Sequence, residues 1–238
     1  MSVEYVEYES GDDISLTENI SWWDSDTECT VVLSQPGTDL ELWNRYLDTA
    51  EQTYRQHGVE AAVDAAAIRH GADTALFWTV LDHRDNMVGG LRAKAPLNRA
   101  DDSHAVVEWA DQPGLAMVRK MIDVRIPFGV IEMKTAWVSD NRVSRHAITG
   151  LLARAAYHAT SIMGVQFVMA TAAQHVLELW KSGGGVVAHI PATPYPDERY
   201  RTKMMWWDRR TMVNHSEPEQ VSKALREISA ISTTLAAS

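Results

Sequence analysis

Two places along this 238-residue chain combine residue types that could do chemistry. The first is Glu132, a carboxylate set in the apolar run Val130-Ile131-Glu132-Met133. Burying such a charge is costly unless it is paired or works as a proton acceptor. A glutamate held there could take a proton from an ammonium group, directly or through water, and so free an amine to attack. A salt bridge to Arg92 on the preceding hairpin is the structural alternative, and the two readings are compatible. The second place is the junction VSDNRVSRHAITG, Val138 to Gly150, where a strand end turns through polar residues straight into a helix. The unpaired N–H groups and positive end of such a helix favour an anion, and Arg142 and Arg145 add cationic donors. An ordinary helix cap with solvated arginines fits the same residues.

Other chemistries find little support. The nine histidines form neither an HExxH pair nor a Cys/His ligand cluster, so no metal is expected. The single cysteine, Cys29, sits among acidic residues that would raise its thiol pKa. No GxSxG, GxGxxG or GxxxxGK[ST] pattern occurs, and the Gly183-Gly184-Gly185 run has no following helix to aim at a phosphate.

The elements that must position these residues follow from periodicity. Thr38 and Glu41 have capping-box spacing, Leu40, Trp43, Leu47, Ala50 and Tyr54 share one helical face, and Gly58 stands where a left-handed cap ends a helix. Residues 59–70 are Ala-rich and fit a helix or an ordered loop. Leu76–Leu81 and Met87–Lys94 flank the polar turn 82–86 and predict a β-hairpin. A short helix over 115–123 and a strand over Val130–Val138 follow. The stripe from Val143 to Met163 predicts one long helix closed by Gly164. A buried strand over 165–170, a short helix over 173–181 and a strand over 199–207 come next, and Ser216 with Glu219 caps an amphipathic C-terminal helix. This order describes a mixed α/β fold, a central twisted mixed sheet flanked by helices, with an open middle.

Charge is unevenly placed. Residues 1–36 hold nine acids and no Lys or Arg, which leaves 23 acidic against 22 basic residues in the remainder and accounts for most of the net charge of −10. An acidic arm on a neutral body disfavours nucleic acid as a partner. The arm, residues 1–36, also carries Trp22, Trp23 and the strand-like run 29–33, which fits either a tail or an arm docked on a sheet edge. The expected division is the arm, a body over 37–213 and a helical tail over 214–238. No apolar run is long enough to span a bilayer and the opening residues are acidic, so a cytoplasmic chain is expected.

From about residue 40 to 207 the order of elements resembles the general-control-related N-acetyltransferase (GNAT) superfamily, whose members bind acyl-CoA or an acyl-carrier protein at such a strand-to-helix junction. Arg145-His-Ala-Ile148-Thr-Gly150 is similar to its [RQ]xxGx[GA] pattern, with Ile148 at the middle glycine. Within the superfamily the segments look most like acyl-homoserine-lactone synthases and N-acyl amino acid synthases. Gly89-Gly90-Leu91-Arg92 with Pro96 is similar to their GxxRLLP, and Glu132 to Ser139 resembles their ExSRxxV, with Thr135 at the arginine. Arg55, Glu60, Asp64 and Arg69 stand near the position of their charged loop.

The resemblance implies an acyltransferase moving an acyl group longer than acetyl from acyl-CoA or a carrier protein's phosphopantetheine to a small amine. It implies Glu132 and Arg92 as catalytic residues, and Val138, Ser139, Arg142, Ser144, Arg145 and Gly150 as donor-binding residues; a homodimer is compatible with it. Trp180 stands where many acetyltransferases carry a tyrosine that protonates the leaving thiolate, and indole cannot do that. Together with Ile148 and Thr135, it supports the alternative of a degenerate module that binds a thioester or a partner without turnover. Trp78, Trp109, Trp137, Trp180, Trp206, Trp207 and the nearby methionines fit either an acyl pocket or plain core.

Overall fold

The computed structural model describes residues 15–139 and 145–237. In chain order the principal elements are β1 (Ile20–Asp24), β2 (Cys29–Ser34), α1 (Leu40–Gln56), α2 (Ala65–Ile68), β3 (Thr74–Leu81), β4 (Met87–Lys94), α3 (His104–Glu108), α4 (Leu115–Asp123) and β5 (Val130–Val138). They continue as α5 (Arg145–Ala153), α6 (Ala155–Ile162), β6 (Phe167–Ala173), α7 (Leu177–Lys181), β7 (Val186–Val187), β8 (Thr202–Asp208) and α8 (Pro218–Ala237). The strands form one sheet in the order β1-β2-β3-β4-β5-β6-β8-β7. Neighbours are antiparallel except β5 and β6, which are parallel. Among the described residues no helix is long and apolar enough to cross a membrane.

Strand alternation sends side chains to two faces, and each is covered by different helices. Leu91, Ile131, Val168, Met205 and Trp207 meet the apolar sides of α5, α6 and α8. On the opposite face Phe77 and Trp137 pack under α1, through Trp43, Tyr46 and Leu47. Val130, Met169, Met204 and Trp206 pack under α3 and α4. Burying so many large apolar groups at roughly 1.5–3 kcal/mol each is what holds the layers together.

Several local expectations need correcting. Helix α1 is capped by Asp39, whose side chain accepts the Leu42 N–H, rather than by Thr38, which is drawn away to the Leu16 carbonyl. The single helix expected over 143–163 is two helices, interrupted at Arg154, where the Arg154 N–H bonds the Leu151 carbonyl three residues back. Helix α8 opens on Pro218 rather than on a Ser216 cap, because the Ser216 hydroxyl is engaged by Tyr157 and the Met212 carbonyl.

Part of the acidic stretch is sheet. Strand β2 pairs with β3 from Thr30↔Leu81 to Ser34↔Phe77, and β1 folds back on β2. Trp22 packs edge-on against His158, with ring centroids 5.2 Å apart, whereas Trp23 is 58% exposed. The first fourteen residues of the arm lie outside the described residues. Deleting residues 1–36 strips Val31 and Leu33 from the core and uncovers the β3 edge. The expected outcome is a lower Tm and association of the truncated chain; a truncated chain that melts like the whole one and stays monodisperse in size-exclusion chromatography would contradict it.

Candidate active site

The sheet opens between its two parallel strands. Pairing of β5 with β6 runs from Val130↔Phe167 to Met133↔Ala170 and stops there, although both strands continue. A bulge in β5 accompanies the divergence. Lys134 to Trp137 spans three steps opposite the two from Arg92 to Gly90, and Thr135 takes a φ of 52°, a left-handed conformation costly for a β-branched residue. Two phenols from α1 hold it there. Tyr46 donates to the Thr135 carbonyl at 2.7 Å and Tyr54 to the Ala136 carbonyl at 3.1 Å. Gly90 makes the first contact possible, since a Cβ there would stand 2.9 Å from the Tyr46 ring. Burial pushes the Tyr54 phenol up to about 12, so it stays a neutral donor.

The gap is a cavity of about 340 Å³ that reaches both faces of the sheet. On the α5/α6 side its wall is apolar and small: Leu152, Ala153, Ala155, Ala156, Ala170 and Ala172. On the other side it is polar, with Tyr54, Glu108, Lys134, Thr171 and Tyr195. Lys134 Nζ donates to Glu108 Oε1 at 2.5 Å, and the Thr171 hydroxyl donates to the same oxygen at 2.9 Å. His104 Nδ1 lies 3.0 Å from Oε1 and 3.1 Å from Nζ. Glu108 Oε2 is buried with no hydrogen-bond partner.

The electrostatics follow from that packing. Burial alone would raise the Glu108 carboxyl, but the Lys134 charge and the close contacts of His104 and Lys134 outweigh it and hold it below its ordinary value. Burial alone would lower Lys134, but the Glu108 and Glu132 carboxylates hold the ammonium above its ordinary value. Burial, then the Glu108 charge, raises Tyr195. The site therefore presents an ionised carboxylate, with one oxygen unengaged, on the polar side of the cavity.

Neither Glu132 nor Arg92 is among the cavity's lining residues. Glu132 is fully buried beneath it, its Oε2 accepting the backbone N–H of His104 at 2.9 Å and lying 3.7 Å from Lys94 Nζ. The salt bridge weighed between Glu132 and Arg92 is absent; Arg92 instead donates to Asp73 and to the Thr74 hydroxyl, both at 2.9 Å, and approaches the Thr135 hydroxyl at 3.4 Å. Of the junction, Val138, Arg145 and Thr149 line the cavity, and Arg145 opens α5. The Ser139 N–H bonds the Val88 carbonyl, and Gly150 lies against Gln220 of α8. Arg142 and Ser144 lie outside the described residues. Ile148 is fully buried against Gly89, where a Cβ would come within 2.9 Å of its Cγ2. Glu108 and Lys134 went unnoticed in the sequence; the only signal was the His104-x-x-x-Glu108 spacing of a helix too short to show a period.

No protein-family model matches the chain. An uncharacterized protein of Mycobacterium tuberculosis is 53% identical over 232 residues, which cover 94% of this chain and 88% of that protein. An uncharacterized protein of Mycobacterium bovis matches to the same extent. The chain belongs to one family with them. Among solved structures, FeeM, an N-acyl amino acid synthase from uncultured soil microbes, superposes with a TM-score of 0.57 at 12% identity over 83% of this chain and 100% of that one. A GNAT superfamily phosphinothricin acetyltransferase from Sinorhizobium meliloti, in complex with AcCoA, gives 0.50 at 14% identity over 76% and 88%. This is the GNAT fold. In this chain the parting of β5 and β6 is the feature that carries the cavity, and the bulge at Thr135 stands at its edge.

Proposed function

We propose that the chain is an N-acyltransferase that moves an acyl group from an acyl-CoA or acyl-carrier thioester to a small amine acceptor. The observation that carries this reading is the cavity between β5 and β6, apolar on one face of the sheet and furnished with an ionised carboxylate on the other. The thioester and its acyl chain lie along the alanine wall, and the donor's phosphates lie toward Arg145 and the junction. The acceptor enters from the side of Tyr54 and Tyr195. Glu108, kept ionised by Lys134, receives the proton that the ammonium must lose before nitrogen can attack. Glu132 and Arg92 serve from beneath, Glu132 by tying the first N–H of α3 and Arg92 by bracing the bulge through Thr135.

The test is to incubate the full chain with acetyl-, octanoyl- or palmitoyl-CoA, the common amino acids or spermidine, and a thiol reagent. Thiol release that requires the amine is the expected result. Trp180 lines the cavity and offers no acidic proton for the leaving sulfur, which favours a second reading as a thioester-binding module. Saturable binding of acyl-CoA with no thiol release would select it. Ala172, half-buried on β6 and facing the cavity, sets a further expectation. Ala172→Leu should lower kcat/KM for palmitoyl-CoA by about tenfold or more relative to acetyl-CoA, because added bulk excludes the longer chain; equal effects on both donors would move the acyl chain elsewhere.

A further inference from the structure

We propose that His104 carries the proton released by the reaction from Glu108 to bulk solvent, by a route separate from the cavity mouth. The inference rests on the acyltransferase reading and adds a residue to it. When an ammonium group becomes an amide, nitrogen loses two protons as the C–N bond forms and the C–S bond breaks. One returns to the thiolate, giving the free thiol, and the other must leave the protein. With both substrates in place the mouth is filled, so the departing proton needs another way out.

The geometry supplies one. Glu108 is fully buried at the polar end of the cavity, and Oε2, which has no partner, is the oxygen left to accept a proton. Its other oxygen, Oε1, lies 3.0 Å from His104 Nδ1. A half-turn of the carboxyl brings the acquired proton opposite that nitrogen. His104 takes it at Nδ1 and gives up the proton on Nε2 to water, and return to the first tautomer resets the pair. The His104 side chain is 35% exposed, and it is not among the residues lining the cavity. Its ring stands edge-on to Tyr195, which does line the cavity, at 5.7 Å between centroids. The backbone is fixed as well, since the His104 N–H is held by buried Glu132 and the same helical turn carries Glu108 four residues on. Lys134 Nζ, 3.1 Å from Nδ1, favours Nδ1 as an acceptor before the proton arrives.

His104→Ala tests this because it keeps the backbone N–H that Glu132 accepts. With the most active donor and acceptor from the panel above, kcat should fall about ten- to a hundredfold with KM little changed, and added imidazole should restore it in a concentration-dependent way. His104→Gln fills much of the ring's space and can still accept from Lys134 but passes no proton; the same loss in kcat is expected, with a wild-type melting curve. Full activity in either variant, or a loss in His104→Ala that imidazole does not restore, would overturn the relay while wild-type turnover leaves the acyltransferase reading intact. Absence of amine-dependent thiol release from the wild-type chain would overturn that reading, and the relay with it.

Discussion

Glu108→Gln should lower kcat for amine acylation by about 10²–10⁴-fold, since the amide keeps the shape and much of the hydrogen bonding but cannot take a proton. The substitution also removes the closest counter-charge of Lys134, so a stability loss of about 3–5 kcal/mol is expected from the ammonium left half-paired. The two effects separate in a second variant. Glu108→Gln combined with Lys134→Met removes both charges, and its Tm should recover most of the loss while kcat stays low. Steady-state thiol release and thermal melts on the single and double variants check this. A single variant with wild-type kcat would take Glu108 out of the chemistry, and a double variant with recovered activity would make its role purely structural.

The second large effect concerns stability alone. Arg154 is buried between cavity-lining Ala153 and Ala155 and is held from three directions. It donates to Glu227 through Nε at 2.9–3.0 Å and through Nη2 at 2.8 Å, to Asp24 through Nη2 at 2.6 Å, and to Gln220 through Nη1 at 3.0 Å. His158 Nε2 adds a contact to Glu227 at 2.9 Å. Burial alone would raise the Glu227 carboxyl, but the His158 and Arg154 contacts bring it down from 4.5 to about 2. A folded value below the unfolded one stabilises the protein above pH 4.5, and that contribution is lost as pH falls toward 2; by linkage it amounts to about 3 kcal/mol. Glu227→Gln should therefore be about 3–5 kcal/mol less stable at neutral pH, with the charge of Arg154 left to Asp24 and the Gln220 amide, and should unfold with a shallower pH dependence between pH 5 and 2. Urea titrations at stepped pH read both quantities. An unchanged slope in that window would assign the acid sensitivity to other carboxylates.

The site was half legible in the sequence. Glu132 announced itself as a carboxylate in an apolar strand, and the structure buries it fully, yet its Oε2 accepts a helix N–H and faces a lysine, its Oε1 is buried without a hydrogen-bond partner, and the residue does not line the cavity. Pattern reasoning sees that a charge inside a strand needs a reason; it does not see which neighbour supplies it. The cavity's own carboxylate, Glu108, sits in a five-residue helix. An apolar period needs two or more turns to rise above chance, so that helix shows none.

What the sequence determined by itself is what depends on near neighbours along the chain. The apolar face of α1, the β3–β4 hairpin, the buried run of β5 and the helix that follows it are each set by side-chain spacing within one element. Their order sufficed to resemble the GNAT fold, which the superposition then showed. The tertiary structure alone decided the contacts made between residues far apart. Arg154, where the long helix is interrupted, finds its partners 130 residues before it, at Asp24, and 73 after it, at Glu227. The bulge at Thr135 persists because Tyr46 reaches its carbonyl from 89 residues away. The polar cluster forms because β5, β6 and α3 bring Lys134, Thr171 and Glu108 within hydrogen-bond distance. Each of these is a buried polar or strained group that is tolerable only when a distant partner arrives, and local periodicity carries no information about that partner.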